Sequence, residues 1–229
     1  MKSLFRKLLY QFLTTCFGRE KLLFLLSNKP ERALLGLERN GYLLEVGWVH
    51  AVRTGTITDA AGRPLPWVTY PFISLIAGRL NKSLDLFEFG SGNSTYWYAE
   101  RVGTVTSVEH DAQWYQKIRT GMPANAALHF CELSYGGDYC KYLLNSPNRY
   151  DIIIVDGRDR VKCCIHSVDA LSDRGIMVLD DSERPEYREA PAYLRGRGFK
   201  QLDLWGMAPM VDNQKCTTIF YKAGNCLDI

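Results

Sequence analysis

Residues 84–111 read LDLFEFGSGNSTYWYAERVGTVTSVEHD, and this stretch decides the fold. Leu84, Leu86 and Phe87 form an apolar run with little polar surface, as a parallel strand covered on both faces requires. Gly90 and Gly92 follow at once, where a chain turns sharply and lets a ligand approach its backbone. Residues 94–102 continue with helical spacing, and the first amides of such a helix are free to receive a polar ligand. The next strand, 105–108, leads into Glu109, 19 residues after Gly90. A carboxylate about 20 residues past the first glycine is placed to accept hydrogen bonds from ribose hydroxyls. Strand, turn, helix, strand and acid in this order predict half of a nucleotide-binding α/β unit.

The glycine spacing narrows the choice of nucleotide. A dinucleotide fingerprint, GxGxxG, needs a third glycine or alanine for close helix packing, and Thr95 stands there. No GxxxxGK[ST] run occurs, which argues against a P-loop. The pattern present is Glu88-x-Gly90-x-Gly92-x-Ser94. It resembles motif I of the class I S-adenosylmethionine-dependent methyltransferases, and the similarity extends over residues 67–222. The resemblance implies S-adenosyl-L-methionine as cofactor, with Glu88 as the acid that ends the first strand. Gly90, Ser91 and Gly92 would pack against the aminocarboxypropyl arm, Asn93 and Ser94 would donate to its carboxylate, and Glu109 would hold the ribose beside His110. Glu132, at the end of the third strand, is a candidate for the adenine edge. The residues by themselves leave plainer readings open: a Gly-Ser loop at an ordinary turn, Asn93 and Ser94 as helix caps, and His110 as a surface histidine.

Strands are expected at 85–89, 104–109, 127–133, 151–156, 176–180, 201–204 and 217–221, with helices between the first five. That alternation predicts an α/β, doubly wound and mostly parallel seven-stranded sheet with right-handed crossovers. The last two strands, joined by a short turn at 206–213, predict an antiparallel hairpin at the sheet edge. The same Rossmann-like architecture is implied by the methyltransferase resemblance. Residues 1–66 read as an N-terminal helical extension with a turn-rich lead-in at 41–66, and residues 67–229 as the cofactor-binding catalytic domain.

Ligands of an open parallel sheet bind beyond the C-terminal strand ends. Asp156 ends the fourth strand, and Asp180 with Asp181 ends the fifth. Three carboxylates converging on one mouth repel each other unless a cation or donor sits among them, and carboxylate oxygens suit Mg²⁺. The arrangement is similar to the metal-dependent O-methyltransferases acting on catechols, caffeoyl-coenzyme A and macrolide sugars. That resemblance implies Mg²⁺ held by Asp156, Asp180 and Asp181, and a small-molecule or sugar acceptor oriented and deprotonated there, with Asp156, Asp181 and Arg158 as catalytic candidates. Arg158, Asp159 and Arg160 depart from those families, which commonly carry Lys, His or Tyr after the first Asp. Without a metal, Asp156 reads as a general base and Asp180–Asp181 as a cap for the following helix, in which Pro185 stands early. Arg158 and Arg160 either bind an anionic acceptor or pair with neighbouring acids. Trp67, Thr69 and Tyr70 either close over the cofactor or pack plainly.

Apolar content of 46% and charged content of 23% suit a globular protein. Residues 1–29 hold six Lys or Arg against one acid, Glu20, so the remaining body is near −2 and nucleic acid is not an expected partner. Seven cysteines without a CxxC pair predict reduced thiols in a cytoplasmic protein. Leu4, Leu8, Leu9, Phe12 and Leu13 share a helical face, with Lys2, Arg6 and Lys7 beside it. Polar Gln11, Thr14 and Thr15 break any signal-like core, and no run approaches the roughly 18 apolar residues of a spanning helix. This helix reads either as a packing element, on the domain or in a homodimer, or as a peripheral contact with a membrane surface. A nicotinamide-dependent oxidoreductase and a non-catalytic scaffold retaining the fold are the alternatives to a methyltransferase.

Overall fold

The computed structural model describes residues 2–229; the side chains of residues 2–6, 8, 17, 19, 20, 23 and 25 lie outside the described residues. Five helices open the chain: α1 (Lys2–Phe17), α2 (Arg19–Leu26), α3 (Lys29–Arg39), α4 (Tyr42–Glu45) and α5 (Trp48–Thr54). After α6 (Tyr70–Ala77) come β1 (Asp85–Phe89), α7 (Asn93–Ala99), β2 (Thr104–Glu109), α8 (Ala112–Ile118) and β3 (Ala126–Phe130). The second half contains β4 (Tyr150–Val155), α9 (Arg160–Ser167), β5 (Leu171–Asp180), α10 (Glu189–Gly196), β6 (Lys200–Ala208) and β7 (Val211–Tyr221).

The seven strands form one sheet in the order β3-β2-β1-β4-β5-β7-β6. Neighbours from β3 to β5 are parallel, whereas β7 is antiparallel to both β5 and β6. The chain works outward from β1 to β3, then returns to lay β4 against the other side of β1. Strand order therefore reverses between β1 and β4. Loops leaving those two ends diverge, and a crevice opens where ligands of such sheets bind.

Alternation along β1 assigns its side chains. Leu86 faces one layer with Phe72 of α6, Tyr98 of α7, Ile152 and Ile154. Phe87 and Phe89 face the other with Tyr139, Ile153, Met177 and Cys163 of α9. Both faces are apolar because both are covered, which explains why β1, β4 and β5 lack a polar stripe. Their aromatic edges meet: Phe87 lies edge-on to Phe89 at 4.9 Å. All seven cysteines are free thiols; Cys163, Cys164 and Cys216 are buried, and Cys131 is half-buried.

Three expectations need correction. No helix separates β3 from β4; residues 131–149 form turns. That segment carries Gly136, Gly137, Pro147 and Asn148, which favour turns, yet Tyr139, Cys140 and Leu143 still cover the sheet face. The lead-in contains two short helices, α4 and α5; in α5, Val49 and Ala51 find burial that the local turn signals do not reveal. The terminal hairpin is also longer than expected, with only Pro209 and Met210 between β6 and β7. A register irregularity between Gly206 and Ala208 keeps the strands paired past a glycine that reads as a turn.

Of the expected N-terminal apolar face, Leu9, Phe12 and Leu13 belong to α1 with described side chains. Leu4 and Leu8, with Lys2 and Arg6, lie outside the described side chains. No helix is long and apolar enough to cross a membrane among the described residues.

Candidate active site

Three strand ends meet at the crevice. The Gly90 amide donates to the Val108 carbonyl of β2 at 2.9 Å, and the Asp156 amide to the Phe89 carbonyl of β1 at 3.2 Å. Gly90 and Gly92 adopt φ values of 96° and 153°, which disfavour other residues. Gly157 lies so close beneath that a Cβ there would stand 2.1 Å from the Tyr139 hydroxyl and 3.2 Å from the Gly90 nitrogen. Absent side chains thus bring the turns after β1 and β4 together.

Each acid of the pattern has a distinct environment. Glu88 is buried and accepts hydrogen bonds from Thr95 Oγ1 and, at 2.9 Å, from Ser94 Oγ. Thr95 Oγ1 in turn accepts from the Gly92 amide at 3.1 Å, so a side chain fills the place of a third glycine and pins the turn to β1. Burial pushes the Glu88 carboxyl up to about 7, against the lowering effect of these hydroxyls. Glu109 Oε1 accepts from the amides of His110 and Asp111 at 2.7 and 2.8 Å, and Oε2 accepts from Ser91 Oγ at 2.8 Å. A carboxylate offers about four lone-pair sites, so this one is oriented without being saturated.

A cavity of about 920 Å³ runs from this turn toward β5 and β7, and a typical ligand pocket measures roughly 300–1,000 Å³. Its walls include Glu88, Gly90, Ser91, Gly92, Asn93, Ser94, Glu109, His110, Asp156, Arg158, Asp180 and Asp181. The expected site residues are therefore gathered in one place. Several are already engaged: Asn93 Nδ2 donates to the Ile57 carbonyl at 2.6 Å, and His110 Nδ1 lies 3.0 Å from Glu109 Oε1. Glu132 is exposed and is not among the lining residues. Trp67 lines the cavity, with its indole nitrogen fixed on the Pro209 carbonyl at 2.8 Å. Thr69 and Tyr70 are instead buried in the packing behind it.

Asp156, Asp180 and Asp181 do converge, but around two protein cations. Arg160 stands 3.0 Å from Asp156 Oδ1, 3.3 Å from Asp181 Oδ2 and 3.6 Å from Asp180 Oδ2. Lys215 Nζ lies 2.7 Å from both Asp180 Oδ2 and Asp181 Oδ1, and Thr217 Oγ1 donates to Asp180 Oδ1 at 2.7 Å. The expected Mg²⁺ site is corrected accordingly: Arg160 and Lys215, with Arg184 on Asp181, already pair with these oxygens, and a divalent ion there would meet them as repulsion. Among the described residues no group of three His, Cys, Asp or Glu is arranged to hold a metal. The helix-cap reading fails too, since the Asp181 carboxylate turns to Lys215, Arg160 and Arg184.

The cluster separates the three acids electrostatically. Burial opposes ionisation of Asp181, but Lys215, Arg160 and Arg184 outweigh it and hold the carboxyl below its usual range. Asp156 moves the other way: burial, then the neighbouring Asp180 carboxylate, raise it well above the usual range despite Arg160. Its side chain remains a quarter exposed to the cavity. Arg158 is exposed on the same wall, with no ion pair among the described residues, while Arg160 is buried in the cluster.

Sequence reasoning missed Lys215 and Trp114. Lys215, Thr217 and Ile219 alternate along β7, a spacing that puts a lysine on the face of a buried threonine. Trp114 follows the helix cap Asp111, whose Oδ1 accepts from the Trp114 amide at 2.9 Å. Its indole nitrogen then donates to the Ser91 carbonyl at 2.9 Å, laying the ring over Gly92.

Two outcomes follow from these environments. Glu88 binds its proton more tightly folded than unfolded, so its contribution to stability is complete below about pH 4.5 and is lost as pH rises through about 7. The Glu88→Gln variant should gain on the wild type by about 3 kcal/mol across that window, measured as urea-unfolding free energies from pH 4.5 to 8. The Lys215→Ala variant, which strands Asp180 and Asp181, should lose about 3–5 kcal/mol in the same measurement at pH 7.

No known protein-family profile and no curated protein matches this sequence. Solved structures do share its fold. The O-methyltransferase TomG from Streptomyces achromogenes, in complex with S-adenosylmethionine, has a TM-score of 0.52 at 16% identity over 67% of this chain and 79% of its own. The precorrin-6y C5,15-methyltransferase from Geobacter metallireducens has a TM-score of 0.51 at 15% identity, over 66% of this chain and 88% of its own. A precorrin 8w decarboxylase from Methanobacterium thermoautotrophicum has a TM-score of 0.50 at 19% identity, over 74% of this chain and 97% of its own. At such identities the likeness concerns shape, and this shape also carries a decarboxylase, so the reaction has to be argued from the site. The chain has the Rossmann-like fold of the class I methyltransferases, with strand order 3-2-1-4-5-7-6.

Proposed function

We propose that this chain is an S-adenosylmethionine-dependent methyltransferase acting on an oxygen of a small-molecule or sugar acceptor. The observation that carries the reading is Glu109: a buried carboxylate oriented by two amides and Ser91, one strand away from the Gly90–Gly92 turn. Such an acid, with room on Oε2 for a further donor, suits a ribose hydroxyl, and the two glycines of the turn suit a ligand arm lying on the backbone. The residues present fit the cofactor, which supplies an activated methyl group when bound. Ser91 and Gly92 would line its arm, Glu109 would grip its sugar, and Trp114, over the turn, would shield it from water.

Methyl transfer is a displacement at carbon, so the protein's task is alignment and removal of one proton. Asp156 is the residue placed for that proton. It faces the cavity, Arg160 holds one of its oxygens, and burial with the neighbouring Asp180 raises its proton affinity well above that of an ordinary carboxylate, which strengthens it as a base. Asp181 has both oxygens bound to cations and serves to position Arg160 and Lys215. Arg158, free on the acceptor side, suits an anionic group on the substrate. Positive charge near the acceptor comes from side chains here, so no metal is invoked. Thr95 speaks against the nicotinamide reading, since its hydroxyl is packed between Glu88 and Gly92 where that fingerprint keeps a glycine. An oriented acid beside an open cavity likewise favours an enzyme over a scaffold.

Calorimetry with S-adenosylhomocysteine tests the cofactor assignment. Wild-type protein should bind at micromolar concentration, and Glu109→Ala at least about tenfold more weakly. Absence of heat at high micromolar concentration, or equal binding by the variant, would remove the proposal's basis. Once an acceptor is found, methylation should be unchanged by EDTA; a loss restored by Mg²⁺ would reinstate the metal.

A further inference from the structure

The described side chains of the three N-terminal helices are left almost uncovered. Among their described side chains only Leu22 is buried, while Phe12, Leu26 and Leu34 are 65%, 69% and 66% exposed. Leu9, Tyr10, Phe24 and Leu37 are exposed as well. The helices contact one another in chain order, α1 with α2, α2 with α3, and α3 with α4, and none packs substantially on the sheet. Helices of 16, 8 and 11 residues are marginal in water unless an apolar face is covered. The exposed apolar side chains described there call for a covering surface.

Charge selects the occupant. Residues 1–29 carry six Lys or Arg and a single acid. The acids that follow are engaged locally: Glu31 closes the capping box of α3 on Asn28, and Glu38 pairs with Arg53 at 3.1 Å. A second copy would bring a second basic arm into the same contact, and the two would repel. A surface that is both apolar and negatively charged meets both features at once. We propose that this arm is an interfacial anchor, laying Phe12, Leu26, Leu34 and their exposed neighbours into a bilayer whose anionic headgroups pair with its lysines and arginines. Among the described residues no helix is long and apolar enough to cross the bilayer. The arm would hold the cavity near the membrane surface, where acceptors with a lipid or headgroup portion are concentrated.

Sedimentation of the full chain with vesicles tests the anchor. Vesicles of phosphatidylcholine with about a third phosphatidylserine should carry the protein down, phosphatidylcholine alone should not, and high salt should weaken the binding. Two full-length variants at exposed positions separate the contributions: Lys7→Glu/Lys21→Glu/Lys29→Glu and Phe12→Ser/Leu26→Ser. Each should bind at least about tenfold more weakly, with an unchanged circular dichroism spectrum. No sedimentation with the anionic vesicles would overturn the proposal, as would equal binding to neutral ones. A dimer in analytical ultracentrifugation that Phe12→Ser/Leu26→Ser dissolves, with no vesicle binding by the wild type, would assign the face to a second copy instead.

Discussion

Backbone lies on backbone where the turn after β1 crosses the turn after β4, and the rest of the site depends on that contact. A methyl group on Gly157 would collide with Tyr139 and crowd the Gly90 nitrogen, and Gly90 holds a φ of 96° that other residues rarely adopt. Tyr139 supports the contact from below, its hydroxyl buried without a hydrogen-bond partner among the described residues. The consequence is geometric. With the two turns in contact, Glu88, Glu109 and Asp156 are fixed around one crevice by strand register, and no loop has to fold over to assemble them.

Around that crevice the protein distributes charge in two ways. On the β1–β2 side, carboxylates are stabilised by hydrogen bonds from hydroxyls and amides, which orients an acceptor without bringing in a cation. On the β4–β5 side, three carboxylates are gathered on Arg160 and Lys215. A buried cluster of this kind is weak evidence for stability, because desolvation takes back much of the Coulomb gain. Its effect is better seen in what it does to the acids. Asp181 is held below the usual carboxylate range and Asp156 is raised well above it, so similar groups a few ångströms apart are fitted for different work.

Much of this was legible along the chain. The central strands, the helix after the glycines and the antiparallel end all follow from period and punctuation, because these are local signals. The gathering of Asp156, Asp180 and Asp181 was legible too, since adjacent parallel strands place their ends together. What occupies the space between them was not. Lys215 arrives from β7, at the far end of the chain, and nothing near it in sequence says that its ammonium will sit between two aspartates. Trp114 and Tyr139 escaped for the same reason: their partners, Ser91 and Gly157, are distant in sequence.

The order of residues alone determined the strand-turn-helix unit, the acid that closes it and the doubly wound architecture, because steric preference and hydrophobic period act over a few residues at a time. Tertiary structure alone decided that the acidic mouth holds an arginine and a lysine, that Trp114 lies over the glycine turn, and that among the described side chains of the first three helices only Leu22 finds burial. Each of these depends on contacts between distant segments, and only the folded chain brings those segments within reach.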